Sequence, residues 1–361
     1  MMNKSEPVFY LFACCIPVQG AKRAVMYDLN RGTWFHIPND LAKILKHFQG
    51  KPKAGVYAQY DIENHKTLDS YFNFLEEHEF IFYTSQEQGA AFSPISMEWD
   101  YPAKISNAIL DIGNNPDAYN IGSALAELES LGCGYLQLRQ TDAQAVLEWD
   151  IILQIMATAA IFSIDLYIPY TPYSRETVER WATEHKRIQN VYIYGASKQS
   201  VEYFSRRVHG NLIYVTPNLV PEIFIQDPAY FTVTVPLFTE SLRFNNYLNR
   251  KVYIDSLGGI RNAPKQEAVF GNVSKNRIVD IVDTYSFKSL WGVHKDMLLV
   301  CRDCEYRYMC VDNRIPVEDN DGTMWCFDTP CAYNPYIAKW RHEPEYVPAH
   351  PKFKKTKHCL S

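Results

Sequence analysis

No stretch of this 361-residue chain approaches the roughly eighteen consecutive apolar residues of a membrane-spanning helix. Positive charge is not in excess either. With 36 Lys and Arg against 41 Asp and Glu, the formal net charge is -5, so nothing draws the chain as a whole to nucleic acid. Nucleotide-binding signatures are missing: Gly258-Gly259 is not followed by Lys-Ser/Thr, and no Gly-x-Gly-x-x-Gly opens a helix. There is no His-Glu-x-x-His and no Gly-x-Ser-x-Gly, and histidines such as His36 and His294 occur singly. These absences leave no assignable catalytic residue and argue against a membrane or nucleic-acid partner. The apolar run Val8–Val18 has Pro17 close behind Cys14-Cys15 and no polar linker, so it reads as a buried strand rather than a targeting signal. A soluble cytoplasmic protein is expected. At 47% hydrophobic and 21% charged, the chain can bury a core large enough for two or three domains.

What the sequence does have is cysteine, unevenly placed. Five of its nine cysteines fall between Cys301 and Cys331. Cys301-x2-Cys304-x5-Cys310 can turn three thiols toward one point if a short curved loop holds them, and a fourth thiol from Cys326 or Cys331 would complete a metal site. In a reducing compartment clustered thiols indicate metal rather than disulfides. Four thiolates suit a [4Fe–4S] cluster or a closed zinc site, and spacing alone leaves both open. Asp303, Glu305 and Arg307 beside them suit orienting the loop or donating hydrogen bonds to sulfur. Cys14 and Cys15 are adjacent, and strand alternation would point them to opposite faces. Cys133 stands alone at a helix end, and Cys359 lies in a Lys-rich tail expected to be a solvated, disordered end.

The pattern along the chain is α/β. Strand-like runs at Phe9–Val18, Ala24–Leu29 and Thr33–Ile37 precede a helix carrying Leu41, Ile44, Leu45 and Phe48, which Gly50 ends. A second helix, about Thr67 to Glu79, leads into a short strand, Phe80–Tyr83, and the whole reads as a winged-helix-like module. Strands then alternate with amphipathic helices: Ile105–Ile112 with Asn120–Leu131, Tyr135–Leu138 with Ala143–Met156, and Phe162–Pro169 with Arg175–Arg187. Val191–Tyr194 and Leu212–Val215 continue the series, with Gln199–Arg206 between them. Units of this spacing imply parallel strands joined by right-handed crossovers, in an open sheet or a barrel. Val252–Asp255 and Gly258-Gly259 read as a hairpin.

Residues 7–85 resemble the peptide-recognition element of ribosomal-peptide modifying systems, the fold of the small pyrroloquinoline-quinone peptide chaperone. There a leader peptide adds as a strand beside the third strand and packs on the last helix, which by position implicates Phe35, Ile37, Tyr71, Phe72 and Leu75. Asn249–Asp255, Gly258-Gly259, Phe270–Val273, the Cys301/Cys304/Cys310 run and Cys331-Ala-Tyr-Asn-Pro-Tyr336 look like a SPASM domain, the auxiliary iron–sulfur module of radical S-adenosylmethionine peptide maturases. Overall the chain resembles the SPASM-domain peptide maturase of grasp-with-spasm systems. The resemblance implies a recognition module at 1–92, a degenerate radical-SAM-type partial (β/α) barrel at 93–240, a SPASM domain at 241–345 and a basic tail at 346–361. It implies one [4Fe–4S] cluster on Cys301, Cys304, Cys310 and Cys331, with Cys326 the alternative fourth ligand and zinc the alternative metal. The partners it implies are a precursor peptide and an ATP-grasp ligase.

Two departures bear on chemistry. The hairpin that would supply part of a second SPASM cluster has Ala263 and Pro264 in the relevant stretch, and Arg314 stands four residues after Cys310. The loop after the first parallel strand, Gly113-Asn-Asn-Pro-Asp-Ala-Tyr119, has none of the Cys-x3-Cys-x2-Cys ligands at which radical enzymes cleave S-adenosylmethionine, and Arg139-Gln-Thr-Asp142 stands where a Gly-Gly-Glu stretch is expected. The expectation is therefore a pseudo-enzyme that binds a precursor, with no S-adenosylmethionine. Alternatives are a peptide-modifying enzyme using its one cluster for redox or Lewis-acid work, and a structural zinc protein whose barrel binds a small molecule.

Overall fold

The computed structural model describes residues 6–204, 210–217, 225, 227–318 and 322–349. The chain forms two compact units: Met1–Trp99 with Ile225–Asn246 and Val293–Ser361, and Asp100–Phe224 with Tyr247–Gly292. The stretch expected as one SPASM domain, 241–345, is thus shared between them. From residue 350 on, the expected tail and Cys359 lie outside the described residues.

The first unit begins with β1 (Val8–Leu11), β2 (Cys15–Gln19), β3 (Ala24–Asp28) and β4 (Thr33–Ile37), followed by α1 (Asn39–Phe48), α2 (Lys53–Tyr57), α3 (His65–Glu77), β5 (Ile81–Thr84) and the short α4 (Gln86–Gly89). The run expected as one strand, Phe9–Val18, is broken. Cys15 N–H donates to the Phe12 carbonyl at 2.8 Å, which closes a turn and sends β1 to pair with β5 while β2 pairs with β3. β3 is central in the order β2-β3-β4 and is buried along its whole length. Strand alternation gives its two faces different neighbours. Ala24 and Met26 join Phe9, Ile37, Leu41, Leu45, Phe72 and Leu75 in one core, while Val25 and Tyr27 join Tyr306, Met309, Tyr333 and Trp340 in another. Among the described residues β4 has β3 on one side and no strand on the other.

The second unit is an α/β layer. β6 (Asn107–Ile112), α5 (Ile121–Ser130), β7 (Tyr135–Gln140), α6 (Trp149–Ala157), β8 (Ser163–Pro169), α7 (Arg175–Glu184), β9 (Ile188–Tyr194), β10 (Ser200–Tyr203) and β11 (Asn211–Val215) follow in turn. After α8 (Val235–Ser241) in the first unit, β12 (Lys251–Ile254), β13 (Gly259–Arg261) and β14 (Gly271–Asn272) complete a nine-stranded sheet in the order β10-β11-β9-β8-β7-β6-β12-β13-β14. The six strands from β11 to β12 in that order are mutually parallel; β10, β13 and β14 pair antiparallel at the ends, and among the described residues the sheet does not close on itself.

One face of the sheet, with Leu110, Leu138, Leu166 and Ile193, buries the apolar stripes of α5, α6 and α7 through Leu125, Leu128, Trp149, Leu153 and Trp181. Two expectations need correction. Gln199–Arg206 holds β10, a strand with exposed Val201 and Tyr203, rather than another crossover helix. The helix expected from Ala143 starts only at Trp149, because the Gln140 side chain donates to the carbonyls of Asp142 and Ala145 and holds that segment as a loop. No described helix is long and apolar enough to cross a membrane.

Candidate metal centre

The cysteine region lies wholly in the first unit, after Val293. Its entry is a tight bend. Val300 has φ 69° and ψ -50°, near the rarely occupied γ-turn region, and for a β-branched residue that is an outlier held by its surroundings. A single 3-10 turn, Cys301–Asp303, follows, closed by Cys304 N–H donating to the Cys301 carbonyl at 3.0 Å. Asn246 Nδ2 donates to the Cys310 carbonyl at 3.2 Å, and Tyr346 Oη to the Cys331 carbonyl at 2.7 Å, so the two flanks of the site are tied down through backbone oxygens. Tyr333 N–H points at Cys331 Sγ, 3.4 Å away, as amides do toward sulfur ligands. The remaining strands, β15 (Pro316–Glu318), β16 (Trp325–Phe327), β17 (Tyr333–Asn334) and β18 (Lys339–Trp340), make two small hairpins around it.

Cys301, Cys304, Cys310 and Cys331 are free thiols, and Cys326, buried in β16, is not among the free cysteines. The four share one electrostatic environment. Burial pushes the Cys301 thiol up to about 11 against the pull of Lys295 and Arg314, with Cys331 adding to the rise. Burial likewise raises Cys304 and Cys310, and Cys301 acts on both. Two cations are set among these thiols. Burial alone would lower the Lys295 ammonium, but Asp312, Cys310 and Cys301 outweigh it and raise it; Arg314 is raised in the same sense by Asp312, Cys331 and Cys301. Arg314 clamps Asp312 through several hydrogen bonds and lies over the Phe327 ring, 4.1 Å from its centroid. Lys295 is 4% exposed and its Nζ has no hydrogen-bond partner. Its ion-pair partner is the Asp312 carboxylate, 3.8 Å away and itself clamped by Arg314, so the ammonium is paired by charge without a hydrogen bond, and a thiolate-ligated metal would add anionic charge on its other side.

Spacing bears on which metal fits. A closed tetrahedral zinc site with Zn–S bonds of about 2.3 Å puts its sulfurs roughly 3.8 Å apart. Among the described residues, the group of three metal-ligating side chains whose atoms lie within 4.8 Å of one another is Cys14, Cys15 and Asp28; no three of the four C-terminal thiols come that close. The four thiols are thus not drawn together at the spacing of ligands on one ion; a polynuclear cluster would take them at its separate corners. Lys295 and Arg314, with the Asp312 carboxylate paired to both, would offset part of the anionic charge such a cluster carries.

Hydrogen bonds join this loop to the β2-β3-β4 sheet. Glu305, fully buried beside Cys304, accepts from Arg23 Nε at 2.8 Å and from Tyr333 Oη at 2.5 Å, and its backbone carbonyl accepts from Tyr27 Oη at 2.8 Å. Ala21 N–H donates to the Asp303 carbonyl at 2.7 Å, and Tyr306 Oη lies 2.6 Å from His36 Nε2 on β4. Burial and then the Arg23 charge push His36 down to about 4. Arg307 donates to the Gln19 and Cys304 carbonyls, so Glu305 and Arg307 orient the loop, as their position beside the thiols suggests. Lys295 and Arg23 carry no sequence signal of a role here.

Of the five residues proposed from position for peptide contact, Ile37, Phe72 and Leu75 are core, while Phe35 and Tyr71 are half-buried at its edge. Cys14 and Cys15 do not diverge as strand alternation would require. Cys14 sits in the turn before β2, and the two sulfurs are 4.0 Å apart.

In the second unit, the ends of the first two parallel strands carry a buried polar network. Arg139 makes a bidentate pair with Asp111, Nε to Oδ1 at 2.6 Å and Nη2 to Oδ2 at 2.9 Å, and both are buried. Tyr253 Oη donates to Asp111 Oδ2 at 2.6 Å, and Tyr119, from the loop after β6, donates to the Asp111 carbonyl at 3.0 Å. Register aligns Asp111, Arg139, Tyr167 and Tyr192 in one row across β6, β7, β8 and β9, the last two with stacked rings 4.3 Å apart.

No family model matches this chain, and no curated protein matches it. Among solved structures it has a weak likeness to SuiB of Streptococcus suis. With SuiB bound to S-adenosylmethionine the TM-score is 0.31 at 10% identity, covering 84% of this chain and 94% of that one. With SuiB bound to its precursor peptide SuiA the TM-score is 0.28 at 10% identity, with the same coverage. Likeness at this level carries no argument about function, which rests on the residues themselves.

Proposed function

We propose that this chain is a maturation factor for a ribosomally synthesised, post-translationally modified peptide: it binds the precursor's leader through its N-terminal module and acts with an ATP-grasp ligase without cleaving S-adenosylmethionine. The observation that carries the reading is a contrast. Four free thiols and two buried cations occur together at Cys301–Cys331, whereas the loop after β6, Gly113–Tyr119, where the resemblance would put a cofactor-cleaving cluster, has no cysteine, and the strands beside it carry the Asp111–Arg139 pair. A cluster bound by Cys301, Cys304, Cys310 and Cys331 would chiefly contribute folding energy to a loop-rich region. Lys295 and Arg314, net of Asp312, would offset part of its charge, Tyr333 N–H would orient Cys331, and Glu305 would fix the loop against β3.

The leader's place is the open edge of β4. An extended peptide there would hydrogen-bond to backbone and touch Phe35 and Tyr71, since the other three residues of the positional set are committed to the core. The test has two parts. Under reducing conditions with S-adenosylmethionine, the purified protein should form no 5′-deoxyadenosine; formation of it would overturn the pseudo-enzyme reading. Adding its precursor peptide should slow hydrogen exchange in the β4 segment, and protection confined to other segments would overturn the leader site.

A further inference from the structure

We propose that Cys14, Cys15 and Asp28 form a second metal site, for one borderline-soft divalent cation such as Zn²⁺, separate from the C-terminal thiols. The fold builds it from two different local structures. Cys15 opens β2 and stands directly opposite Asp28 of β3 in the antiparallel register, which brings their side chains together on one face. Cys14 belongs to the preceding turn, where its carbonyl accepts from Leu29 N–H at 2.9 Å, and the turn swings its thiol toward Cys15. One ligand atom from each of the three lies within 4.8 Å of the others.

The dimensions are those of a mononuclear site. The sulfurs are 4.0 Å apart, and with Zn–S bonds of about 2.3 Å one ion between them would subtend an S–Zn–S angle of roughly 120°. A disulfide would need the same atoms to close to about 2.05 Å. Asp28 is 1% exposed. Its Oδ1 accepts from the Asn30 and Arg31 amides and its Oδ2 from Arg31 Nη1 at 3.0 Å, which fixes the carboxylate while Oδ2 keeps a lone pair.

A divalent ion would bring the two thiolates and the carboxylate from −3 to −1, and the Arg31 guanidinium, shared between Asp28 and the exposed Glu79, faces the remaining charge. Cys14 is only half-buried, so the ion can enter from that side, and three protein ligands leave one position for water or an exogenous ligand.

The test uses the iron-loaded full-length protein, titrated with Zn²⁺ against a competing indicator. Wild type should bind one more zinc per chain than Cys14→Ser/Cys15→Ser, with iron content equal in the two. Equal zinc stoichiometry overturns the proposal. A footprint on the wild type guards against misfolding of the variant: zinc should slow alkylation of Cys14 at least tenfold, read by peptide mass spectrometry. Alkylation of Cys14 at the same rate with and without zinc also overturns it.

Discussion

Replacing Arg139 with Met leaves the Asp111 carboxylate buried, with the Tyr253 hydroxyl as its remaining side-chain partner. In the native protein that carboxylate receives two guanidinium hydrogen bonds, at 2.6 and 2.9 Å, in a site where both side chains are nearly excluded from solvent. Removing one member of such a pair exposes the desolvation penalty of the other, about 3–5 kcal/mol, whereas removing both at once leaves only a packing change. Arg139→Met should therefore cost about 3–5 kcal/mol, and Asp111→Leu/Arg139→Met should recover most of it. Two compact units need not unfold together, so the assay is native-state hydrogen exchange read on peptides covering β6 and β7. A loss below about 1 kcal/mol for Arg139→Met, or single costs that simply add in the double variant, would refute a desolvated, mutually dependent pair.

The packing of the cysteine loop on the N-terminal sheet predicts that Gly20→Ala destabilises by about 1–3 kcal/mol, since a Cβ there would sit 2.8 Å from Glu305 N and from Glu305 Oε2. Gly292→Ala, with nothing within 4 Å, is the control and should leave the melting temperature unchanged. His36, held down to about 4, is neutral when folded near pH 5 while an unfolded His is mostly protonated. Stability should therefore be fully present above about pH 6.5 and decline as the pH falls toward 4, and His36→Gln should flatten that slope in urea midpoints measured across the range. Cys304→Ala should lose bound metal and make the C-terminal part of the first unit susceptible to limited proteolysis; unchanged stability with lost peptide maturation would instead indicate a redox role.

Much of the α/β unit is legible in the sequence because its parallel strands are buried and its helices are amphipathic, so that Leu110, Leu138 and Leu166 mark strand cores and Leu125, Leu128 and Leu153 mark helix stripes. β10 is not legible, since Val201 and Tyr203 are exposed and its pairing with β11 is a tertiary choice. The bunching of Cys301, Cys304, Cys310 and Cys331 is local and visible in the spacing. What surrounds those thiols is not. Lys295 and Arg314 act on them through the folded chain, and Glu305 meets Arg23 across 282 positions of sequence. The row of Asp111, Arg139, Tyr167 and Tyr192 depends on strand register, which no single strand's sequence encodes. Cys14 and Cys15 mislead for a related reason: alternation holds within a strand, and only Cys15 is in one.

The most direct test of the account is the iron, sulfide and zinc content of anaerobically purified protein, read with its visible absorption. One [4Fe–4S] cluster on the four C-terminal thiols predicts about four irons and four sulfides per chain. Zinc without iron would contradict that assignment, and about eight irons would mean a second cluster that the account does not contain.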